Sequence, residues 1–235
     1  MSRPLRVAFL SDLHAGSHVD DIARLAAIVA EAASREPDLV LHGGDFVNMQ
    51  WVGGGRIPPR TIAAILAELT APLGRFAVLG NHDYTYGADA VAGALEEHGI
   101  TVLSDARRTL HHAGHDIDVV GLPDAKELRA EGRALLRTLS AERPTIVLAH
   151  DPYWFAHVPA GPHLTLAGHT HGGQVRFPVV GPLRNSSRAP LRWTYGHIIE
   201  DGRHLVVTSG IGTSGIPLRV GVPPEFVLID VNGTR

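Results

Sequence analysis

The stretch His163-Leu164-Thr165-Leu166-Ala167-Gly168-His169-Thr170-His171-Gly172-Gly173 sets the reading of the whole chain. Its first half is a short apolar run of the length of a buried strand, and its second half is a pair of histidines spaced i, i+2 between glycines. On a chain leaving a strand, that spacing places two imidazoles on one face, with their nitrogens converging on one point or on two neighbouring ones. The glycines on both sides let the backbone take left-handed or crowded conformations, so the rings can be aimed without Cβ clashes. This is a metal-ligand arrangement, although such pairs also arise by chance at surfaces. The rest of the chain decides between the two.

The same unit, a run rich in Val, Leu and Ile that ends abruptly in a polar cluster, recurs along the chain. Residues 6–10 end in Ser11-Asp12-Leu13-His14, 38–41 in His42-Gly43-Gly44-Asp45, 76–79 in Gly80-Asn81-His82-Asp83, and 145–149 in His150-Asp151. Continuous apolar runs of this length read as strands buried on both faces. Helical periodicity falls between them: Ile22 to Arg35 with Asp20 or Asp21 as its cap, Thr61 to Leu69, Ala88 to His98 and Lys126 to Leu139. Strand alternating with helix predicts an α/β architecture with mostly parallel pairing. A later set, Tyr195 to Glu200, His204 to Ser209 and Phe226 to Val231, lacks long intervening helices and is expected to be antiparallel or mixed, as part of another sheet. Residues 51–59, 177–182 and 215–224, rich in Gly and Pro, read as loops. No repeat or linker interrupts residues 1–235, so a single domain is expected.

Composition narrows the function. At 235 residues with 44% hydrophobic content, the chain can bury a full core, and a net charge of −3 gives no basic field of the kind that phosphate-driven nucleic-acid binding needs. Nucleic acid stays possible as a substrate. With no cysteine, a disulfide framework, a thiolate zinc site and Cys nucleophilic catalysis are all excluded. The apolar run Val7 to Leu10 is too short for a signal-peptide core, and no window reaches membrane-spanning length, which predicts a soluble cytoplasmic protein. Lys126 is the one lysine among 21 basic residues, and the arginine excess carries no functional weight.

In parallel α/β sheets, ligands bind beyond the carboxyl ends of the strands, and here five strand ends each deliver Asp, Asn or His to such an edge. Taken singly, Asp12 can cap a turn, Asn81 can sit in a left-handed turn and His150 can be a satisfied core histidine. Five such ends in one chain are hard to produce by chance. In order and spacing, DxH, GD, GNHD, a lone His after a strand and GHTH resemble the calcineurin-like metallophosphoesterases over residues 6–174. The tail Ser209-Gly210-Ile211-Gly212-Thr213, Ile216-Pro217-Leu218-Arg219 and Pro223-Pro224-Glu225 is similar to the bacterial phosphodiesterase branch of that family.

The resemblance implies a four-layer α/β/β/α sandwich of two packed mixed sheets with all ligands at one edge. It further implies one metal held by Asp12, His14 and His171, a second by Asn81, His150 and His169, and Asp45 bridging both. Such an all-nitrogen-and-oxygen set suits two divalent or trivalent ions, Mn, Fe or Zn. The implied reaction is phosphodiester hydrolysis by a metal-bridging hydroxide attacking phosphorus in line, with Asp45 and Asn81 among the catalytic groups. His82, beside Asn81 and not itself a ligand in the family, would protonate the leaving oxygen; its bland alternative is a structural hydrogen bond under the site.

One departure matters. The protein-phosphatase branch has a second Asp three residues after the GD aspartate, followed by Arg, and that Asp orients the catalytic histidine; here Asn48 and Met49 stand there. Asn48 can accept a hydrogen bond from imidazole but cannot stabilise imidazolium by charge. Without the Arg, a dianionic monoester loses a clamp, which leans toward diesters. Tyr84, Tyr86, Trp51 and Trp154 are candidates for stacking a base or sugar, with packing the commoner reading. Arg184, Arg188 and Arg192 are candidates for a second phosphate, with a solvated loop the commoner reading. His111, His112 and His115 fit a surface hairpin and receive no function. Two alternatives stand beside the small-phosphodiester reading: a pyrophosphatase acting on a nucleotide-sugar or lipid-linked diphosphate, suggested by the apolar loop 215–221, and a catalytically silent metal-bound scaffold.

Overall fold

The computed structural model of the chain describes residues 3–18, 21–50, 54–124, 129–182 and 184–232. In chain order the elements are β1 Leu5–Leu10, α1 Asp21–Ala33, β2 Leu39–His42, α2 Pro59–Leu66, β3 Arg75–Ala77, α3 Asn81–Glu97, β4 Thr101–Val102, β5 Ala106–His112, β6 His115–Leu122 and α4 Ala130–Leu136. They continue with β7 Thr145–Ala149, β8 His163–Ala167, the short pair β9 Arg176–Phe177 and β10 Gly181–Pro182, then β11 Gly196–Glu200, β12 Arg203–Val207 and β13 Val227–Val231.

Alternate residues of each central strand bury on opposite sides, which is why the runs are apolar throughout. From β1 and β2, Phe9, Leu39 and Leu41 face Ile146, Leu148 and Leu166 of the other sheet. Their neighbours Ala8, Leu10 and Val40 face the stripe Leu25, Val29 and Ala32 of α1, together with Ile62, Leu66, Val91 and Leu95 of α2 and α3. On the far side, Val147 and Ala149 of β7 pack on Leu136 of α4 and on Trp154. The result is the expected α/β/β/α sandwich. The first sheet runs β13-β1-β2-β3-β4, with β1 to β4 parallel. The second runs β11-β12-β8-β7-β6-β5, with its four inner strands parallel and both edges antiparallel. The five motif-bearing runs are therefore shared between two sheets, three in one and two in the other. Both sheets turn their carboxyl ends to the same edge.

Several sequence expectations shift. The run 226–231 does not join the late strands: β13 returns to the first sheet and pairs antiparallel with β1 from Leu5↔Val231 to Phe9↔Val227. Its partly buried Val227, Ile229 and Val231 face the second sheet, which holds it there. Helix α3 begins at Asn81 rather than Ala88, because Asp83 at its third position accepts the Gly80 N–H at 2.9 Å and stabilises a polar first turn that has no apolar stripe to reveal it. Gly87, at φ 137°, kinks the helix where the periodic part starts. Helix α2 begins at Pro59, two residues early, since Pro suits a first turn. The histidine-rich 111–115 segment is a hairpin turn, with His112 opposite His115. Asp20, Trp51 and Lys126 lie outside the described residues. Among the described residues, no helix is long and apolar enough to cross a membrane.

Candidate metal centre

All seven residues singled out as ligands meet at the shared strand edge. Ligand atoms of Asp12, His14 and His171 lie within 4.8 Å of one another, and so do those of Asp45, His150 and His169. In the first group the two Nε2 atoms of His14 and His171 approach to 3.1 Å, and His171 Nε2 is 3.5 Å from Asp12 Oδ1. In the second, His150 Nε2 lies 3.0 Å from His169 Nδ1 and 3.3 Å from Asn81 Oδ1. One oxygen stands between the groups: Asp45 Oδ2 is 3.5 Å from His14 Nε2 and 3.6 Å from His150 Nε2.

Backbone strain aims these side chains. Asp12, His14, Asp45, His169 and His171 all have positive φ, between 38° and 67°. Each such non-glycine residue costs of order 1–3 kcal/mol and persists only where surrounding bonds over-determine it. Here the bonds are visible: Asp12 N–H donates to Gly44 O at 2.9 Å, His14 N–H to Asp45 O at 3.0 Å, and His169 N–H to the Asp12 carboxylate at 3.0 Å. Asp83 braces the second turn, its carboxylate accepting the N–H groups of Asp45 at 2.8 Å and Phe46 at 2.9 Å as well as that of Gly80. Two glycines are required by space: a Cβ at Gly80 would collide with the Asp45 carboxylate, and one at Gly168 with Ser11 Oγ and the Asp12 carboxylate.

The donors fit a bound cation. The Nε2 atoms of His14 and His171, and His150 Nε2 with His169 Nδ1, converge to about 3 Å beside the Asp12 and Asp45 carboxylates, an all-nitrogen-and-oxygen donor set of the kind that ligates a divalent ion. Burial pushes His171 down to about 4 and holds His14 well below the usual imidazole range, so both rings are neutral, the form that ligates. At His150 burial opposes protonation, but Asp45 and Asp12 outweigh it and carry the group up to about 9. The same negative potential attracts any cation placed there. Burial, with Asp12 adding, lifts Asp45 to about 6; burial and Asp45 lift Asp83 to about 7. His150 Nδ1 lies 2.7 Å from Gly43 O, a contact that fixes the ring and presents Nε2 to the centre.

His82 sits at the rim, its ring edge-on to His14 at 4.6 Å between centroids and its Nε2 3.4 Å from Ser214 Oγ. Its ligand atom also lies within 4.8 Å of those of His14 and Asp45. The expected role for Asn48 does not appear. Its amide donates to Gly55 O at 3.0 Å and its oxygen accepts the Gln50 N–H at 2.9 Å, so the side chain secures its own loop. Trp154 is fully buried, with Nε1–H donating to Pro123 O at 2.9 Å, and belongs to the core rather than to a stacking site. Tyr84 and Tyr86 are exposed on the first turns of α3, with Arg129 over the Tyr84 ring at 5.6 Å. Arg184 and Arg188 are exposed, and Arg192 pairs with Glu200 at 2.5 Å.

The sequence reading missed the tail's structural part. Arg219 donates to the carbonyls of Ser209 at 2.7 Å, Gly210 at 3.2 Å and Gly212, and its guanidinium reaches His171 O at 3.5 Å. Burial lowers it to about 10. It pins residues 209–212 against Asp12 and His14, where Ile211 N–H donates to Ser11 O at 3.1 Å and Gly212 N–H to Asp12 O at 2.7 Å. Glu225 does the same from the other side through the Ser209 N–H at 3.0 Å. No periodicity marks these residues. Asp83 did carry a signal, its place three residues after an N-cap glycine.

Comparison with known proteins gives a consistent result. Residues 5–173 match the family model described as Calcineurin-like phosphoesterase. The phosphodiesterase YaeI of Escherichia coli (strain K12) is 30% identical over 236 residues, covering 97% of this chain and 82% of that protein. The uncharacterised metallophosphoesterase YkuE of Bacillus subtilis (strain 168) is 27% identical over 233 residues, covering 98% and 80%. Among solved structures, the NAD nucleotidase of Haemophilus influenzae superposes with a TM-score of 0.57 at 14% identity, over 88% of this chain and 45% of that one. The chain thus spans less than half of that protein's length, and the likeness concerns the fold.

Proposed function

The chain belongs to the calcineurin-like phosphoesterases, a family of metal-dependent phosphoric ester hydrolases, and from that premise we propose that it is a two-metal phosphodiesterase. The observation that carries this reading is the position of Asp45 Oδ2, 3.5 Å from one histidine group and 3.6 Å from the other. Asp12, His14 and His171 would hold one ion, Asn81, His150 and His169 the other, and Asp45 both, with Mn, Fe or Zn suited to the donors. Bound there, such ions supply Lewis-acid polarisation of phosphoryl oxygens and water of lowered pKa.

The chain's own groups do the rest. The buried, pre-aimed ligands hold their geometry at no further cost when substrate arrives. His82, at the rim with one nitrogen toward Ser214, delivers a proton to the leaving oxygen; burial, with His150 adding, lowers its pKa, so the protonated ring is a stronger acid but a smaller fraction of the protein carries that proton as pH rises. The donors of Arg219 are committed to main-chain carbonyls and Asn48 to its own loop, which leaves a singly charged diester better matched than a monoester dianion.

Metal analysis joined to turnover of bis(p-nitrophenyl) phosphate tests this. The expected result is two ions per chain and Mn-, Fe- or Zn-dependent hydrolysis. Asp45→Ala should lose both ions and activity, and His14→Ala mainly one ion. Two bound ions without turnover of any phosphodiester would make the protein a scaffold. Cleavage confined to diphosphates would make it a pyrophosphatase.

A further inference from the structure

Beside the centre, two neighbouring segments form a surface that the chemistry above does not use. Residues 174–194 contain Arg176, Arg184, Arg188 and Arg192, residues 208–224 contain Arg219, and neither segment contains Asp or Glu. The segments are stitched together: Val175 bridges Val220, Arg176 N–H donates to Val220 O at 2.8 Å, and the Gln174 amide donates to Ser214 O at 3.0 Å and Ile216 O at 3.2 Å. At their tips Phe177 is 47% exposed, Val179 fully, Val180 67%, and Ile216 and Leu218 49% each. Seven of the twelve exposed large hydrophobic side chains among the described residues fall in these two segments, so the exposure is concentrated there.

The charge around the patch selects its occupant. Arg192 pairs with Glu200, and Arg219 is turned inward to the carbonyls of the tail. Arg184 and Arg188 remain exposed in the same segment as Phe177, Val179 and Val180. Three carboxylates that border the segments, Asp151, Glu200 and Glu225, are engaged by Ser187, Arg192 and Ser209, so the exposed charges of the segments themselves include Arg184 and Arg188, with valines and leucines exposed along the same segments. An apolar wedge flanked by arginine is the pattern of interfacial binding to anionic lipid: the side chains enter the boundary between headgroups and acyl chains while the guanidiniums meet phosphate. The face also borders the centre, since Ser186 Oγ–H donates to His169 O at 2.6 Å and Ser214 Oγ lies 3.4 Å from His82.

We propose that this face seats the protein on an anionic lipid bilayer and brings the metal centre to the plane of the headgroups. The consequence for substrate, which rests on the phosphodiesterase reading, is that the ester cleaved is carried by a lipid headgroup.

Co-sedimentation with sucrose-loaded vesicles tests the docking. Wild type should pellet with phosphatidylcholine–phosphatidylglycerol vesicles and stay in solution with phosphatidylcholine alone. Arg184→Gln/Arg188→Gln should weaken binding about 25-fold, from two arginine–surface interactions. Val179→Asp/Val180→Asp should weaken it by about tenfold or more through loss of apolar insertion. Both variants should keep the wild-type circular dichroism and the wild-type rate on soluble bis(p-nitrophenyl) phosphate. Failure of wild type to pellet with anionic vesicles, equal pelleting with both vesicle types, or unchanged binding by both variants overturns the docking proposal. Loss of the soluble activity in all three forms while vesicle binding follows the expected pattern removes the phosphodiesterase reading instead.

Discussion

At the residue scale, His82 and Asp83 are neighbours with separable duties. His82 is proposed to act on the leaving group, so His82→Ala should keep the metal stoichiometry and lower kcat by about 10² to 10⁴ on an alkyl phosphodiester. On a p-nitrophenyl diester, whose leaving group departs unprotonated, the loss should be much smaller. An equal loss on both substrates would assign His82 to phosphate binding, and loss of an ion would make it a ligand, which its distance to His14 and Asp45 permits. Among the described residues, the hydrogen bonds of the Asp83 carboxylate go to main chain and not to a candidate ligand side chain; it holds the N–H groups of Asp45, Phe46 and Gly80. Asp83→Ala leaves those buried donors unpaired and should cost at least about 3 kcal/mol in chemical denaturation, at 1–3 kcal/mol per orphaned group.

At the element scale, the tail from Thr208 to Phe226 behaves as a buttress. It has little regular structure, yet its carbonyls, collected by Arg219, fix the backs of Asp12 and His171. Arg219→Met keeps the length of the stem and removes the donors. Supporting contacts of this kind typically set metal affinity within a factor of about 10–100, so a metal titration should show weakening in that range, with the ions still bound at saturation. Unchanged affinity would reduce the tail to a cover.

At the scale of the whole molecule, His42 reports on folding as a function of pH. It ends β2 inside the layer between the first sheet and its helices, fully buried, with both ring nitrogens unpartnered. Burial, with Arg75 adding, pushes it from 6.5 to about 3. The folded state therefore keeps the ring neutral while the unfolded chain takes up a proton, so stability falls as pH drops through 6.5 and levels off only near 3. Between pH 7 and pH 5 this one group removes about 2 kcal/mol. His42→Leu should flatten that part of the stability profile, measured by denaturant melts across the range; an unchanged slope would mean that other groups govern it. Chelation should lower the thermal midpoint of wild type but not of Asp45→Ala, because only a protein that binds the ions gains their binding energy on folding.

What the sequence determined follows from local rules. Runs such as 145–149 are apolar at every position because both faces of their strands are covered, and each ends in Asp, Asn or His, so the strands and their polar ends were legible without coordinates, while the four layers and the choice of seven ligand candidates came from the family resemblance of those ends. Three things were not legible. Which sheet a strand joins depends on packing between distant segments: nothing in Val227–Val231 names β1 as its partner. The positive φ of Asp12, Asp45 and His169 is held by bonds from Gly44, Asp83 and Asp12 itself, over separations of up to 157 residues. And the work of Arg219, like the idleness of Asn48 toward His82, is decided by which main-chain groups fall within reach once the chain is folded. Composition fixes what can be buried; only the closed structure fixes which buried polar groups are left to find one another.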